Sequence, residues 1–210
     1  NGRIVDRDGV ALRTALREIV ATLRPTIWFT AQQNVLIADV RPEDRERLVA
    51  ILGEHGVTLT EATPNAIRHA MACPAIPTCG LAVAEAERVL PSVIRELTGV
   101  LSDLGLAGER ISVRMTGCPN GCARPYLGDI GFVGTTLGKY DLLLGGDYDG
   151  TRLNELYAHN VPLGELVPTL RPLLEAFAAE RPSGRRFGDW CHEVGVESLR
   201  ERFTAVAAAP

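Results

Sequence analysis

Two short stretches decide how this sequence is read: Cys73-Pro74-Ala75-Ile76-Pro77-Thr78-Cys79-Gly80 and Thr116-Gly117-Cys118-Pro119-Asn120-Gly121-Cys122. Each carries a close cysteine pair, C-x5-C in the first and C-x3-C in the second. Pro74 and Pro77 exclude regular helix from the first stretch. Thiolates bind zinc or iron–sulfur clusters, and loops with these wider spacings can wrap a centre larger than one ion. Gly80, Gly117 and Gly121 are expected to let the backbone come close to such a centre and aim N–H groups at its sulfurs. Pro74 and Pro119 restrain the chain just after a ligand. Three plainer readings compete. A structural zinc site with four thiolates more often uses loops of C-x2-4-C, which C-x3-C fits and C-x5-C does not. Two disulfides would need an oxidising compartment, and unliganded buried thiols are common for single cysteines. Asn120-Gly121 is also a preferred pair for a turn with positive φ.

Working upstream, the first sixty residues alternate between β-rich and helical patterns. Arg3 to Val5 is a short strand candidate. Leu12, Leu16, Ile19, Val20 and Leu23 have helical spacing within a segment from Val10 that Pro25 stops. Thr26 to Thr30 and Val35 to Val40 predict a hairpin. Pro42 opens a second helix capped near Gly56, and Val57 to Thr60 predicts a returning strand. The order β-α-β-β-α-β is that of a ferredoxin-like unit.

Working downstream, Thr63-Pro64 predicts a helix to about Ala72. Leu81 to Leu90 and Ser92 to Leu104 are helical in spacing, with a joint at Pro91. Ile111, Val113 and Met115 alternate with Ser112, Arg114 and Thr116, predicting a half-buried strand that leads into the second cysteine loop. Gly131 to Val133 and Tyr140 to Leu144 are further strand candidates. Pro168 and Pro172 predict a break within Leu163 to Ala179, and a last helix is expected to hold Trp190, Val194, Leu199 and Phe203. The fold class is α+β, a ferredoxin-like unit over 1–62 followed by a mixed α/β subdomain over 63–210 that carries both cysteine pairs.

Composition narrows the function. The chain has 210 residues, 46% hydrophobic and 23% charged, with a net charge of −4. That is enough apolar material for a folded core. No apolar run nears the ~18 residues of a membrane helix, so no membrane partner is expected. The acidic balance and 5% aromatic content argue against nucleic-acid binding. The chain begins at Asn1 without a basic or apolar leader, as expected of a piece of something longer. Five cysteines are an odd number for a secreted disulfide framework, and four in two close pairs point to metal in a reducing compartment, hence the cytoplasm.

The segment Thr116 to Cys122, with Cys73 and Cys79 upstream, resembles the sirohaem-binding sulfite and nitrite reductases. Met71-Ala72-Cys73-Pro74-Ala75-Ile76-Pro77-Thr78-Cys79, Ala84-Glu85-Ala86-Glu87-Arg88 and Phe187-Gly188-Asp189 look most like the C-terminal half of the assimilatory sulfite-reducing members. The resemblance implies that Cys73, Cys79, Cys118 and Cys122 hold a [4Fe–4S] cluster. It further implies that the Cys122 thiolate bridges the cluster to the sirohaem iron, giving it a catalytic role in the six-electron reduction of sulfite to sulfide. A ferredoxin or a flavoprotein subunit would be the electron donor, and nitrite the alternative substrate. A non-catalytic four-cysteine metal module is the rival from another class. Asn120 and Arg124 are candidate cofactor contacts, Arg124 toward a sirohaem carboxylate or the cluster region. Most anion-binding basic residues would lie in an absent upstream half, which would also complete the ferredoxin-like unit.

Among the remaining candidates, Arg114 is expected in a structural salt bridge. His69, one helical turn before Cys73, is expected to cap or face solvent. His55, His159 and His192 have no metal-like spacing, and Cys191 is expected to be a plain buried thiol.

Overall fold

The computed structural model describes residues 3–204. They divide into two compact units that part between Thr63 and Pro64.

In the first unit, β1 (Asp6–Arg7) and β2 (Val10–Ala11) form a minimal antiparallel hairpin. The chain then runs into α1 (Leu12–Leu23) and a second hairpin of β3 (Thr26–Phe29) and β4 (Val35–Ala38). A 3-10 turn at Pro42–Asp44 leads into α2 (Arg45–Glu54). Arg3 to Val5 is not a strand, and pairing begins at Asp6. Val57 to Thr60 does not return as a strand either. A strand needs a ladder partner for its backbone groups, and β3 and β4 pair only with each other among the described residues. The core of this unit is small: Ala15, Ile19 and Ile51 are buried, while Trp28 and Phe29 are 60% and 73% exposed.

The second unit is a five-stranded sheet in the order β5-β6-β7-β8-β9. Its strands are β5 (Ala70–Ala72), β6 (Val113–Thr116), β7 (Ile130–Thr136), β8 (Lys139–Leu144) and β9 (Glu155–Pro162). β5, β6 and β7 run parallel, and β7, β8 and β9 antiparallel. The register Val113↔Ile130↔Leu144 and Met115↔Phe132↔Leu142 lines one face with large apolar residues. These join a single core with α4 (Leu90–Asp103), α5 (Leu166–Glu180), α6 (Phe187–Val194) and α7 (Val196–Thr204). Phe177, Phe187 and Trp190 pack ring on ring in it.

Several expectations give way here. The helix from Thr63 stops after the four residues of α3 (Asn65–Arg68), and Ala70-Met71-Ala72 pairs with β6 instead. Three small or flexible apolar residues have no periodicity that separates helix from strand. Pro91 is no joint but sits in the first turn of α4, where its missing N–H costs nothing. Leu81 to Val89 is irregular because its N–H groups go elsewhere: Val83 and Ala84 donate to the Gly117 carbonyl and Glu87 to that of Cys73. β6 is not half-buried. Ser112, Arg114 and Thr116 are buried as fully as Val113 and Met115, as befits a strand flanked by parallel neighbours. α5 runs unbroken through Pro172. The last helix is two, α6 and α7, parted at Gly195 with φ +88°. β9, without clean alternation, escaped sequence reading altogether.

Candidate metal centre

Parallel pairing brings the cysteine loops together. Ala72 lies opposite Met115 in the register, so β5 and β6 deliver Cys73 and the Gly117-Cys118 step to neighbouring carboxyl ends. The Cys73 N–H donates to the Met115 carbonyl at 3.1 Å, and the Gly117 N–H donates to Cys73 Sγ at 3.3 Å. Carboxyl ends of parallel strands are where open α/β sheets place ligands.

The first loop folds back on itself through Thr78 and Cys79, whose N–H groups both donate to the Ala75 carbonyl. Cys73 and Cys118 are buried, Cys79 is half-buried and Cys122 is exposed; all are free thiols. Burial pushes the Cys73 thiol up. N–H groups of Gly117 and Ala75 pull it down, and the nearby Cys122 and Cys118 add a smaller upward push. Three of the cysteines thus share one electrostatic neighbourhood, with Cys79 carried on the Cys73 turn. Among the described residues, no three His, Cys, Asp or Glu side chains are grouped to hold a single metal ion.

The glycines divide by role. Gly121 has φ +68°, a conformation glycine adopts without strain. A Cβ on Gly117 would lie 2.4 Å from the Ala84 carbonyl oxygen and 2.7 Å from Ala75 Cβ, so that glycine serves close approach of protein to protein. Gly80 has open space around it and ordinary φ, and nothing in the structure requires glycine there.

The chemistry of the site fits an iron–sulfur centre. Four soft thiols are available, and a backbone N–H already points at one sulfur. The Thr116 hydroxyl, buried just before the second loop, has no hydrogen-bond partner among the described residues. A hydroxyl left so is costly unless a bound group completes it. Sequence reasoning passed over Thr116, because only burial marks its hydroxyl as unmatched.

Other residues are placed as follows. Asn120 is exposed at the loop tip. Arg124, half-buried with φ +52°, turns Nη2 toward Met71 Sδ at 3.9 Å. The expected salt bridge of Arg114 is absent: among the described residues no ion pair includes it. Its Nη1 reaches only the Arg124 carbonyl, at 3.5 Å. Burial and the neighbouring Arg124 lower its pKa, partly offset by Asp129 and Tyr148. The buried carboxylate nearby, Asp129 just before β7, is already taken by Ser112 and by the Gly188 N–H. His69 caps the C-terminus of α3 as expected, its N–H donating to the Asn65 carbonyl at 3.1 Å. It is half-buried, with Nδ1 3.1 Å from the Tyr148 hydroxyl and Arg110 stacked over the Tyr148 ring. His55 and His159 pair with Glu18 and Asp141. Cys191 is wholly buried.

The description "Nitrite and sulphite reductase 4Fe-4S domain" belongs to the family model that matches residues 64–209. The chain belongs to this family. Among similar proteins, the sulfite reductase [NADPH] hemoprotein beta-component of Chromohalobacter salexigens is 49% identical over 93% of this chain and 34% of its own length. The sulfite reductase [ferredoxin] of Synechococcus elongatus is 45% identical over 96% of this chain and 32% of its own. The structure of the Mycobacterium tuberculosis NirA protein superposes with a TM-score of 0.75 at 28% identity, covering 89% of this chain and 36% of that one. The chain therefore spans about a third of the length of the curated relatives it matches. The α+β class agrees with this family fold.

Proposed function

We propose that this chain is the cluster-bearing part of a sulfite reductase haemoprotein, which reduces sulfite to sulfide by six electrons. The observation that carries the proposal is the meeting of the two cysteine loops, with the Gly117 N–H on Cys73 Sγ. Cys73, Cys79, Cys118 and Cys122 would hold a [4Fe–4S] cluster. The exposure of Cys122 suits a thiolate shared with a second group, the sirohaem iron. When bound, the two groups together supply one-electron transfer and a metal at which the anion is held. The chain's own part is to hold thiolates, donate N–H groups to sulfur and present cations. Asn120 and Arg124 would face the cofactors.

Sulfite is preferred over nitrite as substrate because the similar curated proteins described above are named sulfite reductases. Their names carry both NADPH and ferredoxin, so either a flavoprotein subunit or ferredoxin would be the donor. No helix among the described residues is long and apolar enough to cross a membrane, and unpaired thiols suit the reducing cytoplasm. The divisions 1–62 and 63–210 would be a ferredoxin-like half-domain and the cluster-binding domain.

Iron, acid-labile sulfide and zinc per chain, measured on the full-length protein after anaerobic preparation, test this. About four irons and four sulfides are expected. One zinc without sulfide would overturn the proposal in favour of a structural thiolate site.

A further inference from the structure

The loop carrying Cys118 and Cys122 is braced by a side chain outside the cysteine pattern. Tyr126 lies in the 3-10 turn Pro125–Leu127, four residues past Cys122. Its hydroxyl donates back across the loop to the Pro119 carbonyl at 2.9 Å. Its ring lies under Gly121, where a Cβ would fall 2.9 Å from Cε2 and 3.3 Å from Cδ2. One side chain thus grips the loop at both residues that flank Asn120.

The brace is itself anchored. The Tyr126 carbonyl accepts the Asn154 N–H at 2.8 Å. Asn154, buried just before β9, donates its side-chain amide to the carbonyls of Pro125 and Gly128 at 2.7 and 3.0 Å. Gly131 on β7 makes room for this anchor, since a Cβ there would lie 2.4 Å from the Pro125 carbonyl oxygen and 2.9 Å from Asn154 Nδ2. The loop's position is therefore tied through the turn to the sheet.

We infer that Tyr126 is a positioning residue: its hydroxyl and ring hold Pro119 to Gly121 so that the Cys118 and Cys122 thiols are set before a metal centre is bound. This rests on the proposal that these cysteines hold an iron–sulfur centre. A rigid loop lowers the ordering cost of ligation and resists the local opening that lets iron escape.

The test is the rate of iron release to a ferrous chelator from the full-length, cluster-loaded protein, with the electron paramagnetic resonance line shape of the reduced centre. Tyr126→Phe keeps the ring and removes one hydrogen bond. Release about 2- to 10-fold faster is expected, the range one net hydrogen bond supports, with an altered line shape and unchanged global melting. Tyr126→Leu should exceed it. Tyr148→Phe, which removes a comparable hydroxyl contact with His69, should leave release and line shape at wild-type values. Unchanged release and line shape in Tyr126→Phe overturn the inference, as does faster release fully accounted for by lower global stability. Wild-type protein without labile sulfide would instead mark failure of the underlying cluster assignment.

Discussion

Gly117→Ala tests whether the two cysteine loops are held as closely as the geometry requires. The added methyl would sit 2.4 Å from the Ala84 carbonyl oxygen, 2.7 Å from Ala75 Cβ and 3.1 Å from Ala82 Cβ. The first contact is with backbone, so no side-chain rotation relieves it. Overpacking of this kind costs about 1–3 kcal/mol. Moving the 81–89 segment away would also strain the Val83 and Ala84 N–H bonds to the Gly117 carbonyl, 2.9 and 3.0 Å, each contributing about 1 kcal/mol. A loss of about 3 kcal/mol follows, a melting-temperature drop of roughly 6–12 °C for a unit of this size. Urea unfolding of the full-length protein, followed by fluorescence and by retained iron, measures both consequences. Gly80→Ala is the control from the other loop, since a Cβ there meets nothing within 4 Å. Were Gly117→Ala to unfold within about 0.5 kcal/mol of Gly80→Ala, the close approach of the loops would be refuted.

Three further outcomes are expected. Cys122→Ser in the full-length enzyme should abolish sulfite reduction and change the haem spectrum; retained turnover with a normal spectrum contradicts the bridging role. Asp129→Asn sets an amide among the Ser112 N–H, Ser112 hydroxyl and Gly188 N–H donors, at 2.8, 2.5 and 3.1 Å, and should cost about 1–3 kcal/mol in chemical denaturation. His69 is held below its ordinary 6.5 by burial, then by Arg68 and Arg110. Below pH 6.5 the unfolded chain therefore takes up a proton that the native site resists, and stability falls as pH drops until the native pKa is passed. His69→Gln should flatten that part of the melting profile between pH 7 and 5, and parallel profiles would rule the contribution out.

Helices α1, α2, α4 and α5, and the β3–β4 hairpin, were legible because each carries its own periodicity or turn chemistry. β5 was not, since Ala70-Met71-Ala72 becomes a strand only by pairing with a β6 more than forty residues away. Val57 to Thr60 shows the converse: β-rich composition makes no strand where the described residues offer no ladder. Arg114 misled for a related reason. Its alternation with Val113 and Met115 implied a solvent face, whereas parallel neighbours and the Pro125–Leu127 turn enclose it.

At the site, residue type and spacing alone determined the donor chemistry, because thiolate softness and the proline and glycine around each pair are local properties of the chain. Which atoms meet was left to tertiary structure. The Gly117 N–H finds Cys73 Sγ, and the Thr116 hydroxyl is left unmatched, only because β5 and β6 lie parallel and in register. Tyr126 braces the second loop only because Asn154, from a distant connection, holds its turn against the sheet. Such contacts depend on strand pairing and burial, which a linear pattern does not encode.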